Sequence, residues 1–291
     1  MLPVLLALAL SSAAGTLDPV GTQAPSKAQS QRLLEDTVTS VALGKAMRYR
    51  VLVPERYSAS QRRYPVLYLL HGLNGDYMDW TTRTNLEEYS RALPLIIVMP
   101  DGTNSWYTNS AADGGGRFEE YVLEDVVKDV ESKYRAIRSR HGRAIAGLSM
   151  GGYGALKMAL RRPGQFAFAG GFSGALAVAR DPEFGSSLGA EFDRLKTIFG
   201  PADSQTRRDN DIFALAAAVR AAAAPYLYVD CGTSDSLFES NRELAAVFKK
   251  TGLAYEYHEL PGAHTWEYWD TRIQEMLSVL MTKFASPKMN P

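Results

Sequence analysis

The chain has 291 residues, and its 32 Lys and Arg balance 32 Asp and Glu to a formal net charge of zero. That balance argues against nucleic acid as the main partner, and the length suits one large α/β core. A single cysteine, Cys231, excludes an intrachain disulfide and any cysteine-rich metal site.

The N-terminal stretch MLPVLLALALSSAAGT joins an apolar run to small residues, and SAA at 12–14 suits cleavage after Ala14. A secretory signal peptide is therefore expected over 1–14, although no Lys or Arg precedes the apolar run. The protein is then secreted or periplasmic. The run is too short to span a bilayer and no later segment offers a span, so no integral membrane segment is expected. Residues 15–34 read as a flexible leader, with one folded domain over 35–291.

From residue 37 the pattern alternates strands with helices. TVTSVALGKAMRYRVLVP (37–54) alternates as a hairpin does, with LGK near its turn. The apolar runs YPVLYLL (64–70), LPLIIVMP (93–100) and RAIAG (143–147) read as strands buried on both faces. FAFAGGFSG (166–174), PYLYVDCG (225–232) and AYEYHEL (254–260) follow. Helical patterns occupy 118–134, 151–162, 241–252 and 269–284. In the first, Tyr121, Val122, Asp125, Val126 and Val130 form a mostly apolar stripe at helical spacing. An antiparallel start followed by strand–helix repeats implies an α/β fold, a mostly parallel sheet with helices on both faces. Residues 175–224 exceed a simple crossover. They form either a small helical cap over the sheet edge or extra packing helices.

GLSMGGYGAL (147–156) sits between a strand and a helix. A Gly-x-Ser-x-Gly match alone is weak, but this setting is that of a nucleophile elbow, where glycine-sized neighbours at 147 and 151 let the chain fold back on itself. Ser149 then projects at the C-terminal edge of the strands, by the positive end of the helix. A serine hydroxyl needs a base to take its proton. Of the four histidines, His141 belongs to the opposite edge, His258 lies within a strand, and His71 precedes the serine. His264, after the last strand, fits the chain order serine, acid, histidine. The acid is Asp230 or Asp235 of YVDCGTSDSLF, and position favours Asp235, which lies farther into the loop. HGLNG (71–75) suits an oxyanion loop, with the amides of Leu73 and Met150 as donors and His71 shaping the loop.

YPVLYLLHGLNG, IIVMPDG, SWYTN, AGLSMGGYGALKMAL, FSGAL, CGTSD and PGAHTWEYWD resemble the esterase D-like family of α/β-hydrolases, over about residues 38–285. The resemblance is closest to tributyrin-type carboxylesterases, and the family also holds S-formylglutathione hydrolases, feruloyl esterases and mycolyltransferases. It implies an α/β-hydrolase fold, with Ser149 as nucleophile, Asp235 as acid, His264 as base and Leu73 and Met150 at the oxyanion. It also implies that no metal or organic cofactor is needed. SMGGYG, where S-formylglutathione hydrolases usually carry a histidine, and the export signal both depart from that subgroup.

Trp80, Trp106, Tyr107, Trp266 and Tyr268 fall in loops at the same edge, where each either lines a pocket or caps the core. Trp106 and Trp266 lie within family motifs and are the preferred pocket residues. Cys231 reads as a packed apolar residue. The expected function is a serine carboxylesterase acting on a small-molecule ester with a short acyl or small aromatic group. Alternatives on the same residues are a feruloyl or acetyl-xylan-type carbohydrate esterase and an acyltransferase. A non-catalytic binding protein of the same fold is disfavoured, since all three candidate residues are present.

Overall fold

The computed structural model describes residues 32–285, so the expected signal peptide and residues 15–31 of the leader lie outside the described residues. β1 (Leu33–Ser40) and β2 (Lys45–Leu52) form the antiparallel hairpin. Leu33 and Leu34, expected in the leader, are already strand. Leu33 pairs with Leu52, and both side chains enter the same apolar cluster, which draws the strand start forward. β3 (Val66–Leu70), β4 (Ile96–Pro100), β5 (Arg143–Leu148), β6 (Phe168–Phe172), β7 (Tyr226–Gly232) and β8 (Tyr255–Leu260) complete an eight-stranded sheet. Its order is β1-β2-β4-β3-β5-β6-β7-β8. β2 meets β4 antiparallel, and every pairing from β4 to β8 is parallel.

The period of two sorts the strand side chains between two layers. Val66, Tyr68 and Leu70 of β3 enter one cluster, and Leu67 and Leu69 enter the other. The second layer is closed by α1 (Asp79–Arg83), α2 (Leu86–Tyr89) and the C-terminal helix, which supply Trp80, Leu86, Ile273 and Met276. On the first face, α3 (Phe118–Glu120), a π turn (Tyr121–Val126) and α4 (Val127–Lys133) together form the helix expected at 118–134. Tyr121, Val122, Val126 and Val130 of its stripe are buried. Asp125, the polar member, accepts from Ser40 Oγ at 2.6 Å and Ala42 N at 3.0 Å, and so pins the β1–β2 turn.

α5 (Met150–Arg161) runs under this face, its residues 150–160 all buried. The stretch between β6 and β7 folds as α6 (Ala190–Phe199), α7 (Gln205–Asn210) and α8 (Ile212–Ala218). Leu195, Phe199 and Ile212 join the α5 cluster, so these helices extend the core. α9 (Phe238–Thr251) and α10 (Trp266–Ala285) complete the order expected of an α/β-hydrolase. Parallel strands β3, β5, β6, β7 and β8 all leave the same sheet edge, where open α/β sheets build their sites.

The approach of α5 to β3 sets the geometry of that edge. A Cβ at Gly151 would lie 2.5 Å from His71 O and 2.6 Å from Leu70 O. Gly→Ala in an open helix stabilises by up to about 1 kcal/mol, but here the methyl meets backbone. Gly151→Ala is expected to destabilise the protein by at least about 2 kcal/mol, read as a lower urea midpoint at unchanged slope. An unchanged or raised midpoint would contradict this packing.

Candidate active site

Ser149 joins β5 to α5 with φ 52° and ψ −116°. A non-glycine residue in such a region costs about 1–3 kcal/mol and persists only where its surroundings hold it. Here its N–H donates to Phe172 O at 2.9 Å, and its carbonyl accepts from Tyr153 N at 3.0 Å and Ala175 N at 3.1 Å. A Cβ at Gly147 would sit 2.6 Å from the Gly151 carbonyl, so the turn closes only over small residues. Met150 opens the helix, and its N–H is among those a helix leaves without an intrahelical partner.

A relay of two hydrogen bonds starts at this serine. His264 Nε2 lies 3.0 Å from Ser149 Oγ, and His264 Nδ1 lies 2.9 Å from Asp235 Oδ2. With Nδ1–H donating to the carboxylate, Nε2 is left to accept from the hydroxyl. The imidazole is held edge-on by Trp269, with ring centroids 4.9 Å apart. The Asp235 carboxylate is fully buried and also accepts from Leu237 N at 2.9 Å. Burial pushes its pKa up, but hydrogen bonds from His264, the Leu237 amide and Ser173 outweigh that and hold it below the usual carboxylate range.

Asp230 is occupied elsewhere. Its carboxylate accepts from Arg272 Nε at 2.6 Å, from the Tyr228 hydroxyl at 3.1 Å and from the Tyr268 hydroxyl, all buried. It anchors α10 to β7, the structural alternative that its place inside the strand allowed. His71 is buried, with Nε2 accepting from Gly102 N at 2.8 Å and Nδ1 lying 2.8 Å from Gly72 O. Since an amide N–H can only donate, Nε2 carries no proton, and the neutral ring ties the 71–75 loop to the loop after β4. Burial lowers its pKa in the same sense. His141 lies at the far end of the sheet, before β5, and His258 lies within β8 beside Glu256 and Glu275. Burial pushes the Cys231 thiol up to about 12, so it remains a packed protonated side chain.

Ser149, His264, Leu73, Trp106 and Trp266 line one cleft of about 590 Å³. Asp235 and Met150 are buried just behind it. The cleft sits where the two core layers meet at the sheet edge, and each layer supplies a wall. Trp106 and Phe184 belong to the first layer and pack edge to face at 6.0 Å. Trp266 belongs to the second, packed edge-on against Trp80 at 5.6 Å and Trp269 at 5.3 Å. Trp80, Tyr107 and Tyr268 are buried supports: Trp80 donates to Leu70 O at 3.0 Å and Tyr107 to His71 O at 3.1 Å.

Sequence reasoning passed over several residues of this site. Phe184 and Leu188, from the segment before α6, complete the Trp106 wall. Lys157 is fully buried and donates to Tyr107 O at 2.7 Å, Glu119 Oε2 at 2.8 Å, Asn210 Oδ1 at 3.1 Å and Thr108 Oγ1 at 3.2 Å. It holds the loop in which Trp106 and Tyr107 take φ of 56° and 49°. A lysine in the otherwise small and apolar run GGYGALKMAL was the available signal.

The strain at Ser149 has a measurable consequence. At a relaxed position glycine is about 0.5–1 kcal/mol less stable than alanine. At 149 that order is expected to vanish or reverse, with Ser149→Gly at least as stable as Ser149→Ala in urea denaturation. A glycine variant less stable by the ordinary margin would mean that the turn carries no strain.

Comparison with known proteins shows the family of the chain. The Esterase family model, described as "Putative esterase", matches residues 40–280. The chain is 32% identical over 212 residues to an acetyl esterase of Caldicellulosiruptor saccharolyticus, covering 71% of this chain and 79% of the relative. It is 32% identical over 249 residues to esterase Rv1288 of Mycobacterium tuberculosis, covering 77% of this chain but 53% of that longer protein. Among solved structures, FphF, a fluorophosphonate-binding serine hydrolase of Staphylococcus aureus, superposes with a TM-score of 0.75 at 26% identity, covering 87% of this chain and 98% of FphF. A strained serine turn on a mostly parallel sheet, matched from the first hairpin to the last helix, places this chain in the Esterase family of α/β-hydrolases.

Proposed function

We propose that the protein is a serine carboxylesterase that cleaves short-chain acyl or small aromatic esters, with Ser149, His264 and Asp235 as its catalytic triad. The observation that carries this reading is the unbroken hydrogen-bond chain from Ser149 Oγ through His264 to buried Asp235, opening on one cleft. Ser149 Oγ attacks the ester carbonyl while His264 Nε2 takes its proton. The tetrahedral intermediate then expels the alcohol, which receives that proton. Water repeats the sequence on the acyl-enzyme and releases the acid. Asp235 stays ionised, holds the Nδ1–H tautomer and stabilises the imidazolium. The amides of Leu73 and Met150 are the proposed oxyanion donors, each worth about 10²–10³ in rate. The similarity to an acetyl esterase supports a small acyl group.

Ser149→Ala is expected to lower kcat on p-nitrophenyl acetate by at least about 10⁴. Asp235→Asn is expected to lower it by a similar order, because an amide favours the wrong tautomer of the histidine. Activity within tenfold of the parent in either variant would remove that residue from the triad. Across p-nitrophenyl esters from acetyl to dodecanoyl, kcat/KM is expected to peak at the short end.

Export is part of the same proposal, supported by the apolar run and small residues of 1–14. N-terminal sequencing of protein recovered outside the cytoplasm is expected to begin at Gly15. Full-length chain retained in the cytosol would contradict it.

A further inference from the structure

The Trp266 wall carries a charge that the ester chemistry does not use. Arg83, the last residue of α1, lines the cleft with its side chain 57% exposed. Its guanidinium lies against the Trp266 ring, 5.6 Å from the centroid. Its Nε donates to Asp79 Oδ1 at 3.3 Å, one turn earlier, and Asp79 Oδ2 accepts from Asp76 N at 3.3 Å. The ring and the carboxylate thus hold the base of the guanidinium in place. Among the described residues neither terminal nitrogen of Arg83 has a hydrogen-bond partner. That end of the fork is the one that matches a planar carboxylate with two parallel N–H bonds.

The chemistry of the site says which part of a substrate meets it. His264 returns its proton to the leaving alcohol, so the alcohol sits beside His264. From the imidazole, side chains run without a break to the guanidinium: Trp269 packs on His264 at 4.9 Å, Trp266 on Trp269 at 5.3 Å, and Arg83 on Trp266. Trp106, Phe184 and Leu188 form the other wall.

We propose that Arg83 is a specificity-determining residue that recognises a carboxylate on the leaving alcohol of the ester. The inference rests on the serine-esterase reading given above. Asp79 neutralises part of the charge but leaves both terminal nitrogens to a ligand, and the cation–π contact with Trp266 limits the freedom lost when one binds.

The test compares 3- and 4-carboxyphenyl acetate with 3- and 4-carbamoylphenyl acetate, which share their shape without the charge. The readout is the ratio of kcat/KM for acid over amide. Differences in leaving-group reactivity cancel when a variant is compared with the parent. Arg83→Gln is expected to lower that ratio about tenfold for at least one isomer, mainly through KM. Arg83→Lys retains part of it, and Arg83→Glu lowers it further. Added salt is expected to shrink the ratio in the parent protein. A ratio that Arg83→Gln leaves unchanged for both isomers, while turnover still depends on Ser149, overturns the inference and leaves the esterase standing. An equal fall for acid and amide assigns Arg83 only to supporting Trp266, and also overturns it. Absence of Ser149-dependent turnover of any of these esters overturns the esterase reading and the inference with it.

Discussion

The contact between the first turn of α5 and the carbonyls at the end of β3 governs the whole edge of the sheet. Residues 147 and 151 carry no side chain, so backbone meets backbone and the chain can reverse between β5 and α5 within one residue. That residue is Ser149, and its positive φ is the geometric cost of the reversal. The strain is held by hydrogen bonds to Phe172, Tyr153 and Ala175, which belong to β6, α5 and the loop after β6. The serine is therefore presented by three elements at once, and its hydroxyl meets His264 without any loop having to move.

The remaining groups are positioned by the same economy. Each lies just beyond the end of a parallel strand: the 71–75 loop after β3, Ser149 after β5, Asp235 after β7 and His264 after β8. Their supports are buried polar groups with filled valences. Asp230 is saturated by Arg272 and two tyrosines, and Lys157 by four oxygens. Buried charges are costly unless paired and hydrogen-bonded, and each of these ties a distant element to the sheet edge. Arg272 fixes α10, which carries Trp266 and Trp269. Lys157 fixes the loop that carries Trp106. The cleft walls inherit their rigidity from these two charged anchors.

Much of this was legible in the sequence, for reasons that differ by residue. Continuous apolar runs marked the strands because a parallel sheet buries both faces, and Gly147-x-Ser149-x-Gly151 marked the turn because no larger residue fits there. His264 followed from chain order and sheet edge. The choice between Asp230 and Asp235 was only leaned upon by position. What separates them is Arg272, brought to Asp230 by the packing of α10 and invisible in any local window. Adjacent Trp106 and Tyr107 diverge, one lining the cleft and the other entering the core, because both adopt left-handed backbone in a loop held by Lys157. β1 begins at Leu33, four residues before the hairpin expected from 37 and two inside the expected leader, because the pull comes from Leu52, across the hairpin. Long-range partners decided what short-range pattern left open.

The central claim is that Ser149 carries the acyl group between the two halves of the reaction. The direct measurement is to mix the protein with p-nitrophenyl acetate, quench in acid within the first turnovers, and map the modified peptide by mass spectrometry. The account predicts a single acetyl group, at no more than one per chain, on Ser149 in the peptide containing GLSMGGYG. Turnover with no acetyl on Ser149, or acetyl on another residue in kinetically competent amounts, would contradict it.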